Sequence, residues 1–339
     1  MIASFALEVL NPLVRGTDME RAAARDALAE ILAGRVEGVQ IASFLTALTV
    51  KGETVEEMTG FVDAMIDAAT TFDVGPAAVD IVGTGGDQLH SVNVSTMAAL
   101  AVAGCGVPVA KHGNRAASSS VGAADVLEAL GVRLDVPAEV AAACVAEAGI
   151  GFLFAPAYHQ GLGYLGPIRR ALSFRTVFNV LGPLANPALV RRALIGVAHE
   201  PQLERMARVL HARGTDLSIL VHGGDGLDEL TLASASRLMV VTPLAVVPET
   251  LDAPRELGVR HETEAIRGGD LAHNVAVVRA FLEGRQGPVF DVVCANAALA
   301  LRVAGRVESL VQGFALASAA VVEGHAARAL ERLVALTNA

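Results

Sequence analysis

Between residues 83 and 119 the sequence concentrates glycines, hydroxyls and cations: Gly83-Thr84-Gly85-Gly86-Asp87, Asn93-Val94-Ser95-Thr96, Lys111-His112-Gly113-Asn114-Arg115 and Ser118-Ser119. Glycines let backbone N–H groups approach an anion, and hydroxyls and cations add donors, so the set suits a multiply phosphorylated substrate. Farther along, Asp228 and Glu229 stand side by side after a glycine-rich turn, His222-Gly223-Gly224-Asp225-Gly226. Magnesium takes a few carboxylates and completes its shell with phosphate oxygens and water, which adjacent acids facing a diphosphate would satisfy. Taken alone, such a pair is more readily a solvated acidic turn. Neither the Walker spacing nor Gly-x-Gly-x-x-Gly is present, which disfavours an ordinary P-loop and a dinucleotide fingerprint.

The elements that must position these residues are set by apolar periodicity. Residues 79–82 read as a buried strand and 97–103 as a helix, which puts the first glycine loop between them and Ser95 or Thr96 at the helix N-terminus, as N-cap or phosphate ligand. Residues 107–110 read as a strand ending in Lys111 and His112, followed by a helix over 122–130 that Gly131 ends. Two such strand-end loops side by side in a parallel sheet make one crevice. Before them, Thr17-x-x-Glu20 and Thr54-x-x-Glu57 are capping-box patterns, and Ile41, Phe44, Leu45 and Leu48 share one helical face that Gly52 terminates. After them, strands over 151–155, 193–197 and 217–221 alternate with helices over 139–148 and 202–213, and helices over 274–282 and 292–303 close the chain. The expected class is α/β: a small all-helical N-terminal domain and a larger α/β domain whose mostly parallel central sheet is covered by helices.

Composition sets bounds. A chain of 339 residues can bury a large core and divide into two domains. A net charge of −10 without a basic cluster argues against nucleic acid as a partner. Cys105, Cys144 and Cys294 lie in apolar surroundings without metal or redox spacing, which predicts buried thiols in a reducing cytoplasm. No basic segment precedes the apolar residues 2–10, so no secretory signal is expected. The longest uncharged stretch, 91–110, is broken by Asn93, Gly104, Gly106 and Pro108 and reads as core, not as a membrane span. His222 reads as a packed strand-end residue, and His90, His199, His211, His261 and His273 lack ligand spacing.

The ordered set of motifs resembles the anthranilate phosphoribosyltransferases across almost the whole chain. Beyond the glycine loop, Asn93 to Thr96 and Lys111 to Arg115, the likeness runs through 124–131, 178–187 and 225–230. It implies a glycosyltransferase of tryptophan biosynthesis that moves the phosphoribosyl group of phosphoribosyl pyrophosphate to the amine of anthranilate, with two magnesium ions. By the same resemblance the donor is held by Gly83, Thr84, Gly85, Gly86, Asp87, Asn93, Ser95, Thr96, Lys111 and Ser119. The acceptor is held by His112, Asn114, His159, Arg169 and Pro183, and the metal by Ser95, Asp228 and Glu229. Lys111, Asp228 and Glu229 would carry the catalysis by stabilising the leaving group. The resemblance also implies a homodimer, and a helical domain of residues 1–72 with a returning segment near 165–185, against an α/β domain of 73–164 and 186–339.

One departure from the family pattern bears on the acceptor: Gly163 and Tyr164 replace two basic residues between His159 and Arg169, which keeps open the same donor chemistry on a different aromatic or heterocyclic acceptor. Another bears on the donor: Ser120 replaces a basic residue beside Ser119, which removes one phosphate partner and is expected to weaken diphosphate affinity. A pyrimidine nucleoside phosphorylase shares the architecture, but phosphorolysis has no use for the Asp228–Glu229 pair.

Overall fold

The computed structural model describes residues 5–115 and 121–339; Ser118, Ser119 and Ser120 lie outside the described residues. Thr54 starts the helix Val55–Asp67 with a complete capping box: its hydroxyl accepts from the Glu57 N–H at 3.1 Å, and the Glu57 carboxylate accepts from the Thr54 N–H at 2.8 Å. Thr17 makes no such box. The helix Arg21–Leu32 begins at Glu20 without a side-chain cap, because the chain there is held from elsewhere: the buried Glu57 carboxylate accepts from the Met19 N–H, and the Thr17 N–H turns back to the Pro12 carbonyl. The helix Gly38–Lys51 buries Ile41, Phe44, Leu45 and Leu48, and Gly52 ends it with φ of 82°. Arg21–Leu32 packs tightly on Val55–Asp67 at Gly60, where a Cβ would stand 2.2 Å from the Arg21 carbonyl oxygen.

Past the helical unit the chain turns to strands. The sheet contains β1 (Asp80–Gly83), β4 (Arg192–Gly196), β5 (Leu217–Gly223), β6 (Ser236–Val241) and β7 (Val246–Leu251) in the order β1-β4-β5-β6-β7. The pairs β1–β4 and β4–β5 are parallel, whereas β5–β6 and β6–β7 are antiparallel. A parallel pair of β2 (Val109–Gly113) with β3 (Ile150–Phe154) adjoins β1 through the Val79–Val109 bridge. Residues alternate between two cores: Ala193 and Ile195 face the helix Glu200–Ala212 and the N-terminal helices, while Leu194 faces the helices Val94–Gly104 and Pro288–Val303. The first of these cores also takes in Leu165, Val177, Phe178, Val180, Leu181 and Leu184, from the segment after β3.

The cleft originates where β1 and β2 separate. Ladder bonds run only as far as the Ala110 N–H, which donates to the Val79 carbonyl. Beyond that point side chains replace the ladder: Lys111 Nζ donates to the Ile81 carbonyl at 2.5 Å, and the Asp80 carboxylate accepts from the His112 N–H at 3.1 Å and from Asn186 Nδ2 at 2.8 Å. Two strands thus diverge at their C-terminal ends with the Ile81 carbonyl and the His112 N–H partnered by side chains. Of the remaining helices, Leu310–Val322 packs on the helices Pro288–Val303 and Val94–Gly104, Leu271–Leu282 packs on Leu310–Val322, and His325–Thr337 packs on Val94–Gly104 and β3; no single described helix is long and apolar enough to cross a membrane.

Candidate functional site

The loop after β1 is shaped by left-handed backbone: Gly85 and Gly86 have φ of 63° and 80°, and Gln88 and His90 take the same region at 63° and 53°. Glycine adopts this conformation without penalty, and the two non-glycine residues hold it at a local cost of the order of 1 kcal/mol each. Thr84 anchors the start of the loop, donating its N–H to the Gly196 carbonyl and accepting from the Ala198 N–H on its hydroxyl. The Gly85 N–H then donates to Asp228 Oδ2 at 2.8 Å. Asp228 and Glu229 therefore stand under the loop, both almost fully buried.

Burial is what marks this acid pair out from a solvated turn. Desolvation, then the charge of Asp87, pushes the Asp228 carboxyl up to about 7; desolvation and Asp228 itself push Glu229 well above the usual range, although Lys111 opposes this. Among the described residues no group of three or more His, Cys, Asp and Glu forms a ready-made ion cage. Two crowded carboxylates at a phosphate-type loop nevertheless suit a cation that takes its other ligands from phosphate and water. Close packing fixes their place. A Cβ at Gly196 would fall 1.6 Å from the Asp228 carbonyl oxygen, and one at Gly83 would fall 2.7 Å from Asp228 Oδ2. Gly196→Ala is accordingly expected to destabilise the protein by about 3 kcal/mol, whereas Gly182→Ala, with nothing within 4 Å, should melt as the parent does; thermal melts of the two variants check this.

Strand alternation sends Lys111 and His112 to opposite sides of β2. Lys111, 2% exposed, reaches towards the N-terminus of the helix Val94–Gly104, where Nζ also donates to Ser95 Oγ at 3.3 Å. Desolvation lowers its pKa while Asp80 and Glu229 hold the charge in place. Lys111→Met would strand the Ile81 carbonyl and the Asp80 carboxylate in the interior, so we expect it to cost about 3 kcal/mol of stability in denaturant unfolding as well as activity. His112 points the other way, with Nδ1 at 3.1 Å from the Gly182 carbonyl. An Nδ1–H donated there leaves the Nε2 lone pair, which is buried without a partner. Burial, then the neighbouring His159 ring, pushes His112 down to about 3. The two rings lie 5.3 Å apart, and His159 Nε2 is tied to the Ala185 carbonyl at 2.9 Å.

These residues converge on one cleft of about 350 Å³, which Asp228, Glu229, Lys111 and the glycine loop line on one side and His112, His159, Arg169 and Pro183 on the other. Gly83, Thr84, Gly85, Gly86, Asp87, Asn93, Ser95 and Asn114 line it too. Thr96 does not. The helix Val94–Gly104 has Asn93 as its N-cap, two residues before Ser95 and three before Thr96, and this turns Thr96 into the core with its hydroxyl buried. The Ser95 backbone N–H instead faces the Glu229 carboxylate and favours its charged form, and the Asn93 side chain joins the Val121 carbonyl to Asn274. Cys144 and Cys294 are buried free thiols as expected, but Cys105 is only half-buried.

Arg169 is half-buried, stacks with its guanidinium 5.4 Å from the centroid of the Phe178 ring, and pairs with no carboxylate among the described residues. Desolvation lowers its pKa, the mark of a cation short of an anion. Gly163 and Tyr164 stay off the cleft: Tyr164 is 38% exposed and is tied to the Gly34 backbone, and Gly163 is likewise exposed. Several contributors escape the spacing argument. Asp80 announces itself only as an acid opening an apolar strand, and Phe178, Asn179 and Gly182 have no chemistry-bearing spacing of their own although they line the cleft.

Comparison with known proteins agrees with this geometry. The chain matches the family description "Glycosyl transferase family, helical bundle domain" over residues 7–69 and "Glycosyl transferase family, a/b domain" over residues 75–327. It is 45% identical to an anthranilate phosphoribosyltransferase of Rhodopseudomonas palustris over 336 residues, covering 98% of each chain. The chain belongs to the anthranilate phosphoribosyltransferase family. The structure of the family member from Thermus thermophilus superposes with a TM-score of 0.92 at 40% identity, covering 97% of this chain and 99% of that one. The Saccharomyces cerevisiae family member in complex with PRPP and Mg superposes with a TM-score of 0.89 at 26% identity, over 98% and 97% of the two chains. The small helical domain and the larger α/β domain are thus those of the family.

Proposed function

We propose that the cleft between the glycine loop and Arg169 joins anthranilate to phosphoribosyl pyrophosphate, giving N-(5-phosphoribosyl)anthranilate and diphosphate. The observation that carries this reading is the meeting, in one cleft, of a buried acid pair under a phosphate-type loop with an unpaired, half-buried guanidinium. The donor lies against Gly83, Thr84, Gly85, Gly86, Asp87, Asn93, Ser95 and Lys111. The acceptor carboxylate lies on the planar fork of Arg169, and its ring lies beside His112, Asn114, His159 and Pro183. Asp228 and Glu229, with the Ser95 hydroxyl, would hold magnesium, two ions in all, which neutralises charge on the departing diphosphate.

The chain's own groups do the rest by position and charge. The amine nitrogen forms a bond to the ribose C1 as the bond from C1 to the diphosphate oxygen breaks, with the electron pair leaving on diphosphate and one amine proton released. Loop N–H groups and Lys111 face the side where negative charge grows. Nε2 of His112 accepts a hydrogen bond and so orients the amine, but holding a proton there would cost about 5 kcal/mol at neutral pH for a group near 3. It is an orienting acceptor, not a base. We expect no ionisation of His112 in the pH dependence of kcat/KM between pH 5 and 8; a limb near pH 6 that disappears in His112→Asn would contradict this. Because the unfolded imidazole titrates near 6.5, the folded form binds fewer protons, so this group's contribution to stability is lost as pH falls from 6.5 towards 3.

Gly163 and Tyr164, the departures that pointed to another acceptor, are removed from the cleft wall, which favours anthranilate itself. Incubation with phosphoribosyl pyrophosphate, magnesium and a panel of aromatic amines, with products identified by mass, tests this: anthranilate should be consumed fastest, and preference for an amine without a carboxylate would overturn the assignment. The packing of the helix Leu165–Leu172 on Gly38–Lys51 and of Phe178–Leu181 on Val55–Asp67 supports a helical domain of residues 1–72 with a returning segment near 165–185, against 73–164 and 186–339. The exposed Leu7, Val14, Val39 and Val50 on the helical unit support a homodimer formed there, and free thiols support a cytoplasmic location.

A further inference from the structure

One contact joins the donor loop to the acceptor segment. Arg175 donates from Nη1 to the Gly86 carbonyl at 3.3 Å and to the Gly85 carbonyl at 3.4 Å, and from Nη2 to the Gly85 carbonyl at 3.4 Å. It pairs with no carboxylate among the described residues and does not line the cleft. Its aim is set on both sides. Ser173, in the left-handed region at φ 58°, ends the helix Leu165–Leu172 and reverses the chain; on the far side of Arg175 the Thr176 N–H donates to Asn179 Oδ1 at 2.9 Å and fixes the start of the helix Phe178–Leu181. A non-glycine residue held left-handed beside a site is a cost that the surroundings must over-determine. The same segment carries Arg169 before Arg175 and Phe178 and Pro183 after it, all on the acceptor wall. On the loop side, the Gly85 N–H bonds Asp228 while its carbonyl bonds Arg175, so the loop is gripped by the acid pair on one face and by the acceptor segment on the other.

We propose that Arg175 is a positioning residue that couples the two substrate sites: a donor seated on the glycine loop fixes the Gly85 and Gly86 carbonyls, these fix Arg175, and Arg175 fixes the segment that presents Arg169 to the acceptor. The proposal rests on the assignment of donor and acceptor made above. Contacts of 3.3–3.4 Å to neutral carbonyls are weak in the free enzyme; on this proposal they shorten when a bound donor orders the loop, which is the differential interaction that coupling requires. The coupling is reciprocal, each substrate tightening the other by the same factor.

The test is an initial-rate matrix in both substrates for the parent, Arg175→Lys and Arg175→Met, with a thermal melt of each. In the parent the KM for anthranilate should fall about fivefold or more as the donor goes from scarce to saturating. Arg175→Met should melt within a degree or two of the parent, keep the parent's KM for anthranilate at scarce donor, and lose the fall. Arg175→Lys, which keeps the charge but not the fork, should retain part of it. A parent without the fall, or an Arg175→Met variant that keeps it, overturns the proposal. A parent that forms no phosphoribosyl anthranilate contradicts the functional assignment instead, so the two failures are told apart.

Discussion

Asp228→Asn combined with Glu229→Gln is expected to lower kcat by about a thousandfold or more, with the protein still folded and melting at or above the parent temperature in the absence of magnesium. The two halves of this result have one cause. Both carboxyls are buried and repel each other, so the free protein holds negative charge that its interior disfavours. Neutral isosteres remove that repulsion, keep the Gly85 N–H bonded to an oxygen, and leave the packing against Gly83 and Gly196 as it was. What they cannot do is hold a cation against the diphosphate, and leaving-group stabilisation of this kind is worth several kcal/mol in a water-poor site. Steady-state rates at saturating substrates, beside a melting curve, check both halves; a variant keeping most of its turnover would mean that the acid pair serves the fold alone.

Arg169→Ala should raise the KM for anthranilate by roughly 10- to 100-fold, the loss of a charge-assisted, forked hydrogen bond, with much less change in the KM for the donor. The stack on Phe178 holds the guanidinium plane in place and no protein carboxylate competes for it among the described residues. Arg169→Lys should recover only a small part, because a point charge does not reproduce the fork. Equal rises in both KM values would show that the substitution disturbs the cleft as a whole. Stability should hardly change, since a half-buried cation without a partner contributes little to the fold.

Much of this was legible in the sequence, for reasons that can be traced. The strand read over 107–110 with Lys111 and His112 at its end is found as Val109–Gly113, and the Thr54 capping box and the Ile41–Leu48 stripe placed the N-terminal helices. The features that escaped were set by contacts between distant segments. The antiparallel hairpin β6–β7 was hidden because Pro248 argues against a strand, and it is tolerated there because β7 is the last strand of the sheet and needs no N–H at that position. Thr96 looked like a phosphate ligand because spacing cannot say where a helix starts; starting at Asn93, the helix turns Ser95 to the acids and Thr96 to the core. The 160–164 segment looked like an altered acceptor wall, yet Gly161 lies close under the Leu32 carbonyl and Tyr164 is tied to Gly34, so the changed residues face the helical unit. Arg175 carries no signature, and Asp80 only that of an acid opening an apolar strand, because their role is to satisfy backbone groups of other segments.

The central claim is that a diphosphate-bearing donor and an aromatic amino acid meet in the cleft between Asp228 and Arg169. Anthranilate fluorescence followed in the presence of phosphoribosyl pyrophosphate and magnesium, with diphosphate release recorded in parallel, tests it most directly. The account predicts a fluorescence loss that needs all three components and matches diphosphate release mole for mole. Diphosphate release with anthranilate fluorescence unchanged, or fluorescence loss that persists without the donor, would contradict it.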